Sequence, residues 1–362
     1  MATALSCEAV DVQAALDNAA DGTTLLIPAG SCDWHAQSVS RSAGVRIIGA
    51  GRDATHIKRS NAPTGDPAYA LVIDCSNGLT TELAGITFEG KGVSSAEDNG
   101  VSLYGGCLDF RVHDMRFIHF GDGALEVRGV SRGVIYDSEF NENFNPGLGY
   151  GVVVYGADTW PALDLGSANA VFIEDNSFHG NRHDIASNYG ANYVARHNLI
   201  VTTTTTREWA MIDAHGRQDH NRRGTRSWEI YQNQLDVEGT TYTDGIGIRG
   251  GDGVIWGNTI SGDIAYTAQF VIEDGCPTND PVQGDAGPYP VPDQTMLAWI
   301  WGNIWGDNTQ QFIRTAAQDS FNCNYYFQEG RNYFQYAKPG YTPYPYPHPL
   351  RDFVFRNGFE VG

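Results

Sequence analysis

Asp175-Asn-Ser-Phe178 returns along the chain as His197-Asn-Leu-Ile200, Gln232-Asn-Gln-Leu235, Gly257-Asn-Thr-Ile260 and Gly302-Asn-Ile-Trp305. A looser form precedes it in Gly85-Ile-Thr-Phe88, Asp114-Met-Arg-Phe117 and Asp137-Ser-Glu-Phe140. Each copy begins on a polar or small residue, usually continues with Asn, and ends on a large apolar one. The shortest steps between apolar ends are 22 residues, Phe178 to Ile200, and 23 residues, Phe117 to Phe140. The longer steps read as the same unit carrying loop insertions, which is the arithmetic of a solenoid. Asn198, Asn233, Asn258 and Asn303 hold one place in four consecutive units, where stacked amides at a turn hydrogen-bond from rung to rung. The fold class read from this is all-β, a single-stranded right-handed parallel β-helix.

The repeat runs without a linker-like break, so the 362 residues are read as one β-helix domain. Residues 1–50 are its N-terminal cap and first strands, 51–317 its rungs and 318–362 a capping tail. Gly 43 and Pro 15 suit a chain that turns every few residues. The apolar runs, such as Val152 to Val154 and Leu297 to Trp301, fall far short of the ~20 residues of a membrane-spanning helix. A formal charge of −20 repels nucleic acid and anionic membranes. It also weighs against a polyanionic substrate, although a local basic patch overrides the global field within about 10 Å.

Asp11 is placed to N-cap a short helix through Ala20, with Val12, Ala15, Leu16 and Ala19 on one face and the Asp21-Gly22 turn at its end. Such a helix covers the open end of a solenoid. Thr24 to Ile27 and Val45 to Ile48 are the first strands. Tyr341-Thr-Pro-Tyr-Pro-Tyr-Pro-His-Pro349 is barred from helix and inner strand by its alternating prolines. It is expected to lie extended across the solenoid, with its tyrosines packed over the C-terminal rung. Cys7 with Cys32 and Cys276 with Cys323 look like staples at the two ends, while Cys75 and Cys107 are either a third bridge or two buried thiols on neighbouring rungs. The chain opens Met-Ala-Thr-Ala-Leu-Ser, with neither the basic nor the apolar segment of a signal peptide. It is read as a secreted, bacterial-type domain, extracellular or periplasmic, whose signal peptide has been removed. The capped ends and the absence of heptads or a trimerising tail point to a monomer.

The opening Cys7…Val12-Gln-Ala-Ala…Asp21-Gly-Thr-Thr-Leu-Leu-Ile-Pro-Ala-Gly, the Asn-bearing rungs and the Pro/Tyr tail together resemble secreted bacterial right-handed β-helix proteins of the pectate-lyase superfamily. The resemblance covers nearly the whole chain. It implies the architecture and a polysaccharide substrate, and leaves the reaction open among lyases, hydrolases, esterases, epimerases and tailspikes.

Each unit also carries a second strand ending at Gly, and aligning those glycines stacks Arg128, Tyr155, Tyr189, His215, Arg249 and Asp274 in one column. Two positions earlier, on the same face, stand Glu126, Val153, Ser187, Asp213, Gly247 and Ile272. Around the middle units gather His179, Arg182, His183, Asp184, His197, Arg217, His220, Arg222, Arg223 and Arg226. A uronate lyase must neutralise a carboxylate, take the α-proton and protonate the leaving oxygen. Arg249 and Arg217 suit the first task, His215 the second, with His183 as a competing base, and Tyr189 the third. Asp213 is placed to orient His215 or to help bind a cation. Substrate contacts are expected from Arg217, Arg182, His220, Arg222, Tyr155 and Asp274, and from Trp209 and Trp160 on neighbouring insertions. A hydrolase would instead pair Asp213 with Asp274, Asp184 or Glu126, and a third reading is a non-catalytic glycan-binding adhesin. Neither an acidic calcium cluster nor an Arg-x-Pro-x-x-Arg run is present; His215 with His183 or His220 and Asp213 could hold a metal, but no His spacing matches a metal motif, so no cofactor is expected, with calcium the alternative that no motif supports.

Overall fold

In a computed structural model, which describes residues 1–61, 68–92, 98–202, 210–217, 222–238, 244–264, 266–272, 293–306, 311–317 and 326–351, the repeat does wind into a right-handed parallel β-helix. Its strands form three parallel sheets of twelve, ten and ten strands. Each rung gives one strand to each sheet. The quoted pattern marks the corner between the first and second sheets. Its opening residue takes a positive φ in every copy, +52° at Asp114, +49° at Asp137, +55° at Asp175, +55° at His197 and +54° at Gln232, with glycine elsewhere. Single left-handed residues are the cheapest way to turn a strand sharply, and Gly and Asp tolerate them best.

The apolar end of each copy then points into the coil. Phe88, Phe117, Phe140, Phe178, Ile200, Leu235, Ile260 and Trp305 stand in register in the second sheet. The first four rings stack at 6.1, 5.1 and 4.8 Å between centroids, offset contacts that add to the burial of each ring.

The Asn ladder is longer than four rungs. Asn176, Asn198, Asn233, Asn258 and Asn303 are all buried, and each amide nitrogen of the first four donates to the next Asn oxygen at 2.8–3.2 Å. A second ladder, absent from the sequence reading, runs from Asn143 to Asn181. Asn233 serves the backbone N–H of Asn198 and the carbonyl of Ala195 as well. Asn233→Ala therefore strands several buried polar groups, and a loss of at least about 2 kcal/mol is expected in denaturant unfolding; a cost below about 0.5 kcal/mol would show that the ladder is not structural.

Helix α1 (Ala9–Asn18) covers the N-terminal end with Ala9, Val12 and Leu16 buried. It begins earlier than expected. Asp11 is not the cap but lies in the first turn, where it accepts the Ser6 hydroxyl at 2.6 Å and its charge suits the helix dipole. Cys7–Cys32 bridges the helix entry to the first rung. Cys75 and Cys107 are a disulfide and not two thiols, because neighbouring rungs bring their Cα atoms to 4.9 Å, within bridging range. Cys276 and Cys323 lie outside the described residues.

The tail closes the last rung with Tyr333 and Phe334, which pair with Ala298 and Trp299, and with Tyr341 against Trp301; beyond Tyr341 it crosses the flank of the first sheet. Tyr344 packs on Phe172 and Tyr346 on His197, while buried Arg196 donates to the carbonyls of Tyr344 and Pro345. The reason is a second apolar patch on the outside of that sheet, formed by Val134, Tyr136, Ala170, Phe172, Val194 and Tyr231, which the tail covers.

Candidate functional site

The third sheet presents the titratable cluster on its outer face, and its register fixes who stands beside whom. Glu126, Val153, Ala186, Asp213 and Gly247 pair in one row from strand to strand. Arg128, Tyr155 and Asn188 pair in the next row, which continues through His215 and Arg249 one residue beyond Ala214 and Ile248. Asn188, not Tyr189, thus lies between Tyr155 and His215. Tyr189 has already left the strand at φ +58°, so the corner before Gly190 holds one residue more than the corner before Gly156, and aligning on glycine slides the register by one. Ala186 likewise replaces Ser187 in the earlier row. At the far end Gly247 pairs with Gln269, so Ile272 is not in that row; Asp274, Trp209 and His220 lie outside the described residues.

Tyr189 still reaches the column from its corner. Its ring stacks on Tyr155 at 5.1 Å, with Arg128 over Tyr155 at 4.4 Å and Arg222 over Tyr189 at 4.9 Å. The result is a layered pile of cation, ring, ring and cation, each contact favourable through the ring quadrupole. Arg222 is exposed.

Asp213 is the centre of the site. It is 0% exposed, yet Arg249 Nε donates to Oδ1 at 3.0 Å and Arg249 Nη2 to Oδ2. His183 Nε2 stands 3.8 Å and His215 Nε2 3.9 Å from Oδ2. Burial pushes the Asp213 carboxyl up, but Arg249, His215 and His183 outweigh it and hold the group down to about 2, so it is an anion at neutral pH. Burial lowers His183 to about 4 against the pull of Asp213, and its Nδ1 faces the Ala210 carbonyl. His183 is therefore a buried neutral ring, whereas the His215 side chain is 15% exposed. Of the two candidate bases, His215 is the one a substrate can reach.

Arg249 turns the Nε–Nη2 edge of its guanidinium to Asp213, a two-point pairing that fixes the carboxylate. Burial raises the Asp293 carboxyl against the charges of Arg223 and Arg217, and Arg223 pairs with it at 3.1 Å. Trp160 is already in contact with two guanidiniums, Arg223 at 5.6 Å and Arg226 at 4.9 Å.

Of the carboxylate pairs considered for hydrolysis, the two whose members are both described, Asp213 with Glu126 and Asp213 with Asp184, are not placed to act together; Asp274 lies outside the described residues. Glu126 is three strands from Asp213, about 14 Å at the usual ~4.8 Å spacing, too far to flank one glycosidic bond. Asp184 is 0% exposed and accepts from Asn181 of the second ladder at 2.8 Å. Burial raises it from 3.8 to about 8. Between those values the folded chain keeps a proton that the unfolded chain has released, so the stability Asp184 contributes is full below the lower value and lost as pH rises through the upper one. Asp184→Asn should flatten this slope. The melting temperature of the variant is expected to fall less than that of the parent from about pH 5 to 8, and parallel curves would contradict the assignment.

Two participants escaped the sequence reading. Tyr150 pairs with His183 in register, stacks on it at 5.7 Å and accepts from Arg182 Nη1 at 3.3 Å. Asp122 is raised to about 6 by burial and by the charge of Glu126. Glu126 itself accepts from the Tyr69 hydroxyl at 2.5 Å and from Arg128 Nε at 2.7 Å. Neither Tyr150 nor Asp122 precedes a strand-ending glycine; the only signal was the shared row of Gly123, Tyr150 and His183. Among the described residues, no group of three or more His, Cys, Asp and Glu is placed to hold a metal ion.

No family model matches the chain, and no curated protein matches it. Among solved structures it is similar to ORF18 of Geobacillus virus E2, with 14% identity, 85% of this chain and 56% of that chain covered, and a TM-score of 0.49. It is also similar to the alginate lyase from Paenibacillus sp. str. FPU-7, with 15% identity, 89% and 99% coverage, and a TM-score of 0.38. A third is the catalytic unit of the thermostable GH87 alpha-1,3-glucanase from Streptomyces thermodiastaticus strain HF3-3, with 14% identity, 86% and 63% coverage, and a TM-score of 0.46. The chain spans little more than half of the viral protein, and at these identities the likeness to all three is one of fold.

Proposed function

We propose that the outer face of the third sheet binds a uronic-acid-containing polysaccharide and cleaves it by β-elimination. One observation carries this reading: a partly exposed His215 stands beside a buried Asp213 that Arg249 keeps anionic, with a tyrosine and an exposed arginine at the adjoining corner. His215 in its neutral form takes the proton α to the uronate carboxylate. The C–H electrons form the new C=C bond, the C4–O bond breaks, and Tyr189 protonates the departing oxygen; water returns the proton from His215 to Tyr189. Asp213 stabilises the imidazolium as it forms. The cation that meets the substrate carboxylate is Arg222, because Arg249 is committed to Asp213. Arg182 holds Tyr150 at the floor. The test is incubation with a panel of uronate polymers: ultraviolet absorbance of an unsaturated uronate is expected, and new reducing ends without that absorbance would overturn elimination.

The second reading, hydrolysis, draws on one observation, the coupled carboxyl groups of Asp122 and Glu126 at the lower end of the face. A glycan-binding adhesin without chemistry is what neither signal would favour. The two described disulfides support a chain that works in an oxidising compartment, secreted or periplasmic, and the helix over the first rung supports a monomer built as one β-helix domain.

A further inference from the structure

The segment 157–169 leaves the third sheet after Tyr155 and arches over the outer face of the first sheet before rejoining it at Ala170. The arch is fastened along its length. Asp158 N–H donates to the Tyr189 carbonyl at 2.8 Å, Arg226 Nε to the Pro161 carbonyl at 2.7 Å, and Gly166 N–H to Glu229 Oε1 at 2.8 Å. Tyr341 of the tail donates to the other oxygen of Glu229. Gly166 sits at φ +79°, and a Cβ there would meet the Thr342 carbonyl at 2.1 Å, so tail and arch close on each other as tightly as backbone allows.

A cavity of about 220 Å3 nevertheless remains beneath the arch. Ligand sites for drug-sized molecules run to roughly 300–1,000 Å3, so this one suits a single ring. Its floor is Asn192 and Ser227, paired in register, with the serine hydroxyl donating to Asn192 Oδ1 at 2.6 Å. That bond turns the asparagine amide so that its N–H groups are left to donate elsewhere. Asp164 and Glu229 place acceptors on one side, and Pro161 and Ala162 give an apolar wall. Arg132, at the rim, is already paired with Asp109 at 2.9 Å. Donors and acceptors facing a small apolar surface match the hydroxyl edge and the C–H face of a pyranose. A carboxylate brought in by a uronate would be the third, beside Asp164 and Glu229.

We infer that this cavity is a binding site for one neutral hexose unit, separate from the site on the third sheet. The arch joins the two, because Pro161 and Ala162 wall the cavity while the preceding Trp160 touches Arg223, whose carbonyl accepts the N–H of Tyr189 at the corner of the third sheet. A glycan lying on the outer face of the third sheet can therefore set a neutral branch or terminus here, a step that rests on the function proposed for that face.

Ligand-observed NMR with methyl hexosides and methyl glucuronoside tests it. One ring with few contacts is expected to bind with Kd on the order of 1–100 mM, for at least one neutral hexoside and not for the glucuronoside. Ala162→Trp, which fills the space from an exposed position, should remove the signal, and Asn192→Leu should weaken it at least about tenfold, both with unchanged far-ultraviolet circular dichroism. His215→Ala should leave it intact, so loss of the elimination activity and loss of this site are told apart. No neutral hexoside bound by the folded parent, binding that survives Ala162→Trp, or preference for the glucuronoside would each overturn the inference.

Discussion

His215→Ala is expected to lower turnover of the cleaved polysaccharide by about 10²–10⁴-fold, the usual worth of a general base, while substrate binding stays within about tenfold. The side chain is partly exposed and its ring lies 3.9 Å from the Asp213 carboxylate, so truncation removes a base without opening the core. Asp213→Asn gives the complementary result. It keeps the shape but removes the charge that favours the imidazolium, so it should lower kcat more than it changes KM. Unchanged kcat in His215→Ala would remove His215 from the reaction, and His183 cannot replace it from its buried position beneath Tyr150.

The largest effect on stability is expected at Glu174. This carboxylate is 0% exposed, receives Arg196 Nη2 at 2.6 Å, and also accepts from the His348 N–H at 2.9 Å and Arg351 Nη1 at 3.0 Å. Glu174→Ala leaves Arg196 buried with one fewer anion and cuts two attachments of the tail. Removing one partner of a buried pair costs about 3–5 kcal/mol, measurable as a lower denaturant midpoint, and residues 326–351 should become accessible to protease. A cost below about 1 kcal/mol would mean that the tail is held by its aromatic contacts alone.

The coil was legible because its signals are local. A residue that must adopt positive φ, an Asn that must bridge rungs and an apolar residue that must point inward lie within four positions, and all eight apolar ends found in the sequence stand in one column of the second sheet. The site was less legible because its alignment depended on where strands end. Gly190 and Gly156 look equivalent, yet Tyr189 sits in the corner and Asn188 in the row, a difference set by backbone conformation that composition does not reveal. Tyr150 and Asp122 lie near strand beginnings, away from the glycines that guided the alignment. The setting of Arg249 was out of reach for another reason: a sequence shows a cation, but only the fold shows that it pairs with Asp213. The tail meets the last rung through Tyr333 and Tyr341 as expected, but its course beyond Tyr341 was not legible, since nothing local announces the apolar patch around Phe172 and Tyr231 that it covers.

Elimination at the third sheet is read out by mass spectrometry of products formed from uronate polymers in water enriched with heavy oxygen. Elimination breaks the C4–O bond without adding water, so the products are expected to carry an unsaturated terminus and no solvent oxygen, and to vanish with His215→Ala. Products that gain one solvent oxygen per cleavage, or an undiminished yield from the variant, would contradict it.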